Sequence, residues 1–186
     1  MKKLFLFLVV FGFFAGNIFA QDDQMQKWME YMTPGEPHKK MASLSGDWTF
    51  TSKMWMDPAA PPTESQGTAK FEMILGGRYF KNSYQGEIMG MPFEGIGLEG
   101  YDNAKKVYFT IWMDNMGTGT MYLEGKYDET LKAIVYSGKV FDPMIGKDSE
   151  VKEIFKVIDE NTCEMSMYNV VEGKDVKSME LTMKRK

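Results

Sequence analysis

The sequence predicts an all-β protein, an antiparallel up-and-down β-barrel of about ten strands preceded by a short N-terminal helix. Three observations carry this. From Gly46 to Lys186 the chain is a ladder of short runs in which apolar and polar residues alternate, the period-2 pattern of half-buried strands. A turn signal built of Gly, Asn, Asp or Pro recurs about every ten residues, the spacing of sandwiches and barrels. Consecutive strands joined by tight turns make a meander, whose two edges stay exposed unless it closes on itself.

Lys2 and Lys3 precede an apolar run from Leu4 to Ala15, and Ala20 stands before the polar Gln21-Asp22-Asp23. A positive n-region, an apolar h-region and a small residue at the cut read as a secretory signal peptide over residues 1–20. The run is shorter than the about 20 residues of a spanning helix. An uncleaved anchor is the alternative, because Ile18 is imperfect three residues before the cut. The expectation is export, to the periplasm or beyond, with no membrane span after cleavage. No Cys follows Ala20 to carry a lipoprotein anchor.

Residues 21–45 form a helical lead-in. Met25, Trp28, Met29 and Met32 fall at i, i+3, i+4 and i+7, one apolar stripe of a helix over Asp22–Met32. Thr33-Pro34-Gly35-Glu36-Pro37 breaks it, since each proline disfavours helix at the residue before it. A second helical turn is expected over His38–Leu44, with His38 in an exposed lead-in.

The barrel domain spans residues 46–186. Its first strand, Asp47–Met56, puts Trp48, Phe50, Met54 and Met56 on one face and Asp47, Thr49, Thr51 and Lys53 on the other. A proline-rich connection, Asp57–Pro62, follows. The second strand, Gly67–Leu75, aligns Ala69, Phe71, Met73 and Leu75. Gly76-Gly77 reads as a two-residue hairpin turn, as glycine accepts positive φ freely. Further strands are expected at Arg78–Gly86, Phe93–Tyr101, Val107–Met113, Thr120–Tyr127, Ala133–Phe141, Glu150–Ile158, Cys163–Asn169 and Val176–Met183. The turns between them use Asp, Asn, Gly or Pro, as at Asp102-Asn103 and Asp159-Glu160-Asn161.

Composition excludes several classes. A net charge of −4 without a basic stripe gives nucleic-acid binding no footing. Cys163 is the only cysteine, so packing and not an internal disulfide must hold the domain; in its alternating run it reads as a small buried filler. His38 is the only histidine, which leaves a histidine-based hydrolase, a multi-His zinc site or an axially ligated haem without residues. Gly95–Gly100 matches a loose Gly-x-Gly-x-x-Gly, but it lies inside a strand with no helix after it, so it is no dinucleotide fingerprint; its glycines read as bulge or curvature positions. No cofactor motif is found, and no catalytic constellation.

Two features resemble the calycin barrels, the lipocalins and their relatives. Gly46-Asp47-Trp48 opens the first strand after a short helix, and Arg185 ends the last strand, where those barrels often place a basic residue beside that Trp. Longer runs resemble the uncharacterised bacterial family named domain of unknown function 1579. They are Met73–Phe80, Gly90–Gly97, Trp112–Gly119 and Met54–Pro58. This resemblance covers about Met25–Lys186. It implies a single lipocalin-like barrel and no catalytic residues.

Methionine is the compositional outlier, at 18 residues. The pairs Met54/Met56, Met89/Met91 and Met165/Met167 raise copper(I) as a ligand, since thioethers are soft. A general Met-rich interior explains them better, because methionine fills irregular apolar space and repacks around varied shapes. The reading reached is a small apolar or amphipathic ligand held in the barrel by Trp48, Phe50, Met54, Phe71, Met73, Arg78, Phe80, Tyr84, Phe109 and Met113. Phe155 adds aromatic wall. Arg78 would be the polar anchor, with Glu99 as its partner, because an unpaired charge inside is costly; the alternative is Arg78 solvated at the rim. Three other readings compete: an enzyme of unknown reaction using Arg78, Asp114 and barrel tyrosines; a Met-based copper(I) protein; and a filled barrel with a structural or interaction role.

Overall fold

The computed structural model describes residues 15–186, with side chains from residue 22 on. The leader expected over Met1–Ala20 lies outside the described residues, save for the last positions, whose backbone belongs to the first helix. That helix, α1 (Ala15–Met32), is continuous and starts earlier than the apolar stripe alone indicates. It belongs to one compact unit, and residues 34–186 form another.

The second unit holds α2 (Glu36–Ala42) and ten strands: β1 (Gly46–Met54), β2 (Thr63–Ile74), β3 (Tyr79–Ile88), β4 (Met91–Asp102), β5 (Val107–Asp114), β6 (Met121–Asp128), β7 (Ala133–Asp142), β8 (Lys147–Asp159), β9 (Thr162–Val171) and β10 (Lys174–Arg185). Every strand pairs antiparallel with its sequence neighbours. β1 pairs with β10, Phe50 opposite Met183 and Met54 opposite Met179, and this closes the barrel. Closure leaves no edge to pair with a second chain. Among the described residues no helix is long and apolar enough to cross a membrane.

Gly35 caps α2, its N–H donating to His38 Nδ1 at 3.0 Å. The turn so set points His38 and Met41 at the barrel end, and both are buried. His38 is therefore not exposed as the sequence suggested; its ring stands edge-on to Tyr101 at 6.1 Å. Below α2, Trp48 is fully buried and donates its indole N–H to the Leu44 carbonyl at 2.9 Å. The Arg185 guanidinium lies 4.5 Å from the centre of the Trp48 ring and donates to the carbonyls of Ser45 (2.7 Å) and Ser43 (2.9 Å). Arg185 thus lies beside Trp48, as the calycin resemblance implied; its cation stands over the aromatic face and also ties the last strand to the segment between α2 and β1.

Two corrections concern local geometry. The β2–β3 turn has four residues, not two: Ile74 opposes Tyr79, and Leu75, Gly76 and Gly77 all take positive φ (49°, 67° and 81°). Two of these three are glycines, which adopt that region without a Cβ clash. Gly95 and Gly100 mark no bulge, since β4 pairs with both neighbours without a register shift. They make room for rings. A Cβ at Gly95 would lie 2.4 Å from the Trp112 ring, and one at Gly100 would lie 2.4 Å from the Phe109 ring.

The interior is two apolar clusters. The larger joins Met41, Leu44, Trp48, Phe50, Phe71, Phe80, Tyr84, Phe93, Cys163, Leu181 and Met183; the smaller joins Tyr108, Leu123, Tyr136 and Val151. Tyr101 and Phe155 pack against both.

Candidate functional site

Where the second cluster thins out toward α2, the end of the barrel holds a half-open cavity of about 220 Å³, with the exposed Lys40, Tyr127, Lys132 and Val157 among its lining. Its walls are apolar and aromatic: Met41 and Leu44 from the α2 segment, Tyr108 from β5, Ile134 from β7, Phe155 and Val157 from β8. Tyr127, Lys40 and Lys132 also line it, and Glu99 supplies a carboxyl. The Lys40 ammonium lies over the Tyr127 ring at 5.6 Å, and Lys132 pairs with Glu129 at 3.0 Å.

Glu99 belongs to a set of polar side chains that strand alternation turns inward. On β3, Asn82 lies between Phe80 and Tyr84; on β4, Glu99 lies between Gly97 and Tyr101; on β8, Glu153 lies between Val151 and Phe155. Each occupies the inward parity of an otherwise apolar stripe. The Asn82 amide donates to Glu99 Oε1 at 2.6 Å. Tyr136 stands opposite Glu153 in the β7–β8 register. Thr110 stands opposite Glu99 and is buried too.

Among the described residues, no lysine or arginine forms an ion pair with these carboxyls. Burial pushes Glu99 up to about 7, with the Asn82 amide pulling the other way. Burial, and then the charge of Glu99, push Glu153 up to about 8. Removing a carboxylate from water without a cation favours the protonated form, and a second carboxylate nearby reinforces that. Tyr84 and Tyr136 are held well above the usual phenol range, first by burial and then by both glutamates. Tyr84 donates to Met183 Sδ at 3.4 Å. Asn82 Oδ1 and the Tyr136 hydroxyl are buried without a hydrogen-bond partner, an unusual state for interior polar atoms. Burial raises the Cys163 thiol to about 12, which keeps it an inert thiol.

The residues that the sequence singled out lie elsewhere. Trp48, Phe50, Phe71, Phe80 and Tyr84 are buried in the larger cluster, ring against ring, as in Phe71–Phe80 at 5.6 Å and Phe50–Tyr84 at 5.6 Å. Met73 packs against that cluster, and Met54 faces inward at the end of β1. Arg78 lies at the rim and is exposed, its guanidinium donating to the Leu75 carbonyl at 3.2 Å. β3 begins only at Tyr79, so strand alternation does not carry Arg78 inward; Asn82, not Arg78, bonds Glu99. Phe109 and Met113 face outward. Each face of β5 carries large apolar or aromatic side chains, and the Phe109 ring takes the outer side over Gly100, near Tyr79 and Tyr122. Trp112 takes the inward place, stacked on Phe93 at 6.3 Å. None of these ten lines the cavity; Phe155 does.

The methionine pairs are redistributed as well. Met56 lies beyond β1 and is 78% exposed, so it shares no face with Met54; Ser52 holds the inward place between Phe50 and Met54 and bonds Ser65 at 2.6 Å. Met89 and Met91 flank an exposed turn. Met165 and Met167 pack against the two clusters. Asp114 serves the β5–β6 turn, accepting from the Trp112 indole at 2.7 Å and the Met116 N–H at 2.9 Å.

Sequence reasoning missed Glu153 and Tyr136. The available signal was a glutamate at an inward parity position of an apolar strand.

Comparison with known proteins adds a family and a fold. The profile of the family described as Protein of unknown function (DUF1579) matches residues 33–185. No curated protein matches the chain in sequence. Among solved structures, the crystal structure of Rv2717c from M. tuberculosis is similar, with a TM-score of 0.60, 14% identity, 83% of this chain and 99% of that one covered. A redesigned beta barrel matches with a TM-score of 0.41 and 14% identity, over 78% of this chain and 94% of that one.

Proposed function

The chain belongs to the family Protein of unknown function (DUF1579), which hands down no activity, and from its own interior we propose that it binds a small amphipathic molecule in the barrel. The observation that carries this is the cavity of about 220 Å³ whose apolar walls end on the Glu99 carboxyl. Ligand pockets are concave and mostly apolar, with a few polar groups that orient the guest. A barrel packed solid throughout would serve a structural role instead; here the Trp48 side is filled and the Tyr108–Phe155 side is open. The leader pattern at Lys2–Ala20 supports an exported protein working in the periplasm or outside the cell.

The test is thermal unfolding against a series of short alcohols, with hexanol as the reference probe. The melting transition should rise with hexanol, by the equivalent of about 2.7 kcal/mol at a hundredfold excess over Kd. Ile134→Trp, which fills the cavity from β7, should remove the shift while leaving the barrel folded. If no alcohol or other apolar probe moves the transition of the wild-type protein, the filled-barrel role takes over.

A further inference from the structure

We propose that the molecule bound in this cavity is a protonated amine, its ammonium seated against Glu99 with Glu153 as the second carboxylate, and its apolar chain lying along Tyr108, Ile134 and Phe155. This rests on the cavity reading above and assigns the chemistry of the head group.

The argument is a count of donors and acceptors. Glu99 spends one oxygen on the Asn82 amide. With both carboxyls ionised, its other oxygen, both oxygens of Glu153 and Asn82 Oδ1 are acceptors; protonated, each carboxyl supplies one O–H donor of its own. The donors facing them are few. The Thr110 hydroxyl is buried opposite Glu99, the Tyr84 hydroxyl is committed to Met183, and the Tyr136 hydroxyl has no partner. An ammonium brings three N–H donors and no acceptor, which is what such a place lacks. A carboxylate ligand would add acceptors and negative charge to it. Asn82 and Tyr136, 4% and 1% exposed, each leave a polar atom unpaired; they and Glu153 lie outside the cavity's own lining, of which Glu99 is the carboxyl. Aromatic faces suit an organic cation. A hard divalent metal wants six or more oxygens, and among the described residues no three His, Cys, Asp or Glu side chains gather closely enough to hold one.

Charge balance sets the pH behaviour. The groups that bear on the carboxyls are Tyr84 on β3, Tyr108 on β5, Tyr136 on β7 and Cys163 on β9, with His38, Lys40 and Lys132 at the α2 end. The tyrosines and Cys163 stay neutral below pH 9, and burial keeps His38 below its ordinary range. Near neutrality Glu153, raised to about 8, is mostly protonated, and Glu99, raised to about 7, is partly so. An ammonium must displace a proton to form its ion pair, so binding should release protons and strengthen as pH rises.

The experiment is calorimetry with hexylammonium, hexanol and hexanoate, at pH 6.0 and 8.5 and in two buffers of different ionisation enthalpy. At pH 8.5 hexylammonium should bind at least tenfold tighter than hexanol, hexanoate should bind weakest, and the amine should lose at least tenfold at pH 6.0. Near pH 7 its heat should shift between buffers, as proton release requires. Glu99→Gln and Glu153→Gln, both checked for fold by circular dichroism, should each weaken the amine at least tenfold and change hexanol far less. Equal affinity for amine and alcohol, amine affinity indifferent to pH and to both glutamine changes, or displacement of the amine by Ca²⁺ would overturn the assignment. Binding of hexanol alone would sink the head group and spare the cavity; silence from all three probes would sink both.

Discussion

Replacing Glu153 by glutamine tests the physics of the interior without any ligand. The carboxyl sits between Val151 and Phe155 on the inner face of β8, raised from 4.5 to about 8 by burial and by Glu99. In the unfolded chain it ionises near its ordinary value. Between those two values the native protein holds a proton that the unfolded chain has released, so the native state becomes less stable as pH rises. The sign is that of a raised acid: stability is full below about 4.5 and is lost through about 8. Each pH unit in the window costs about 1.4 kcal/mol, hence about 3 kcal/mol by pH 7 and about 5 kcal/mol by pH 8. Glu99, raised to about 7, adds a smaller loss of the same sign, and because the two repel they titrate as a pair. Glutamine keeps the shape and cannot ionise. Urea unfolding of wild type and Glu153→Gln from pH 5 to 8.5 should therefore show near-equal stability at pH 5 and a variant more stable by about 3 kcal/mol at pH 7. His38, buried and held below its usual range, works in the opposite sense at acid pH, but it is common to both proteins and cancels in their difference. A difference that stays flat from pH 5 to 8.5 would refute the reasoning, because it would mean that Glu153 ionises in the folded barrel without penalty.

Two further outcomes follow from the geometry, and a third from the leader pattern at Lys2–Ala20. Trp48→Ala should cost about 3–5 kcal/mol, as a large aromatic lost from the core, and Lys53→Ala on the outer face of the same strand should stay within about 0.5 kcal/mol; equal effects in urea titrations would contradict the register of β1. Arg185→Met should lose about 2–3 kcal/mol, through the Trp48 face and the Ser43 and Ser45 carbonyls left unpaired, with a shift in tryptophan emission; an unchanged midpoint would show that the cap is idle. Protein recovered from the cell envelope should have the mass of a chain beginning at Gln21, and a full-length cytosolic species would rule out export.

The sequence determined the barrel almost strand by strand, because alternation and turn chemistry are local. A run such as Asp47–Lys53 states its own pleat, and Asp or Asn turns state where it ends, so no knowledge of the remaining strands is needed. Closure was also legible, since ten consecutive antiparallel strands have two edges and one economical way to lose them. Local pattern failed where it was degenerate or where the outcome lay in three dimensions. β5 carries large aromatic side chains on both faces, and only the space above Gly100 and beside Phe93 decided that Phe109 goes out and Trp112 goes in. Arg78 has inward parity by counting, yet the strand begins one residue later, and the turn carbonyls hold its side chain at the rim. The site itself is a matter of volume and distance. Whether inward side chains fill a barrel depends on the sum over all ten strands, which no single strand contains. The coupling of Glu99 to Glu153 joins β4 to β8 across the interior, where burial raises two ordinary glutamates to about 7 and about 8. A strand can state which face is buried; only the closed barrel sets which buried residues meet, and how little solvent is left between them.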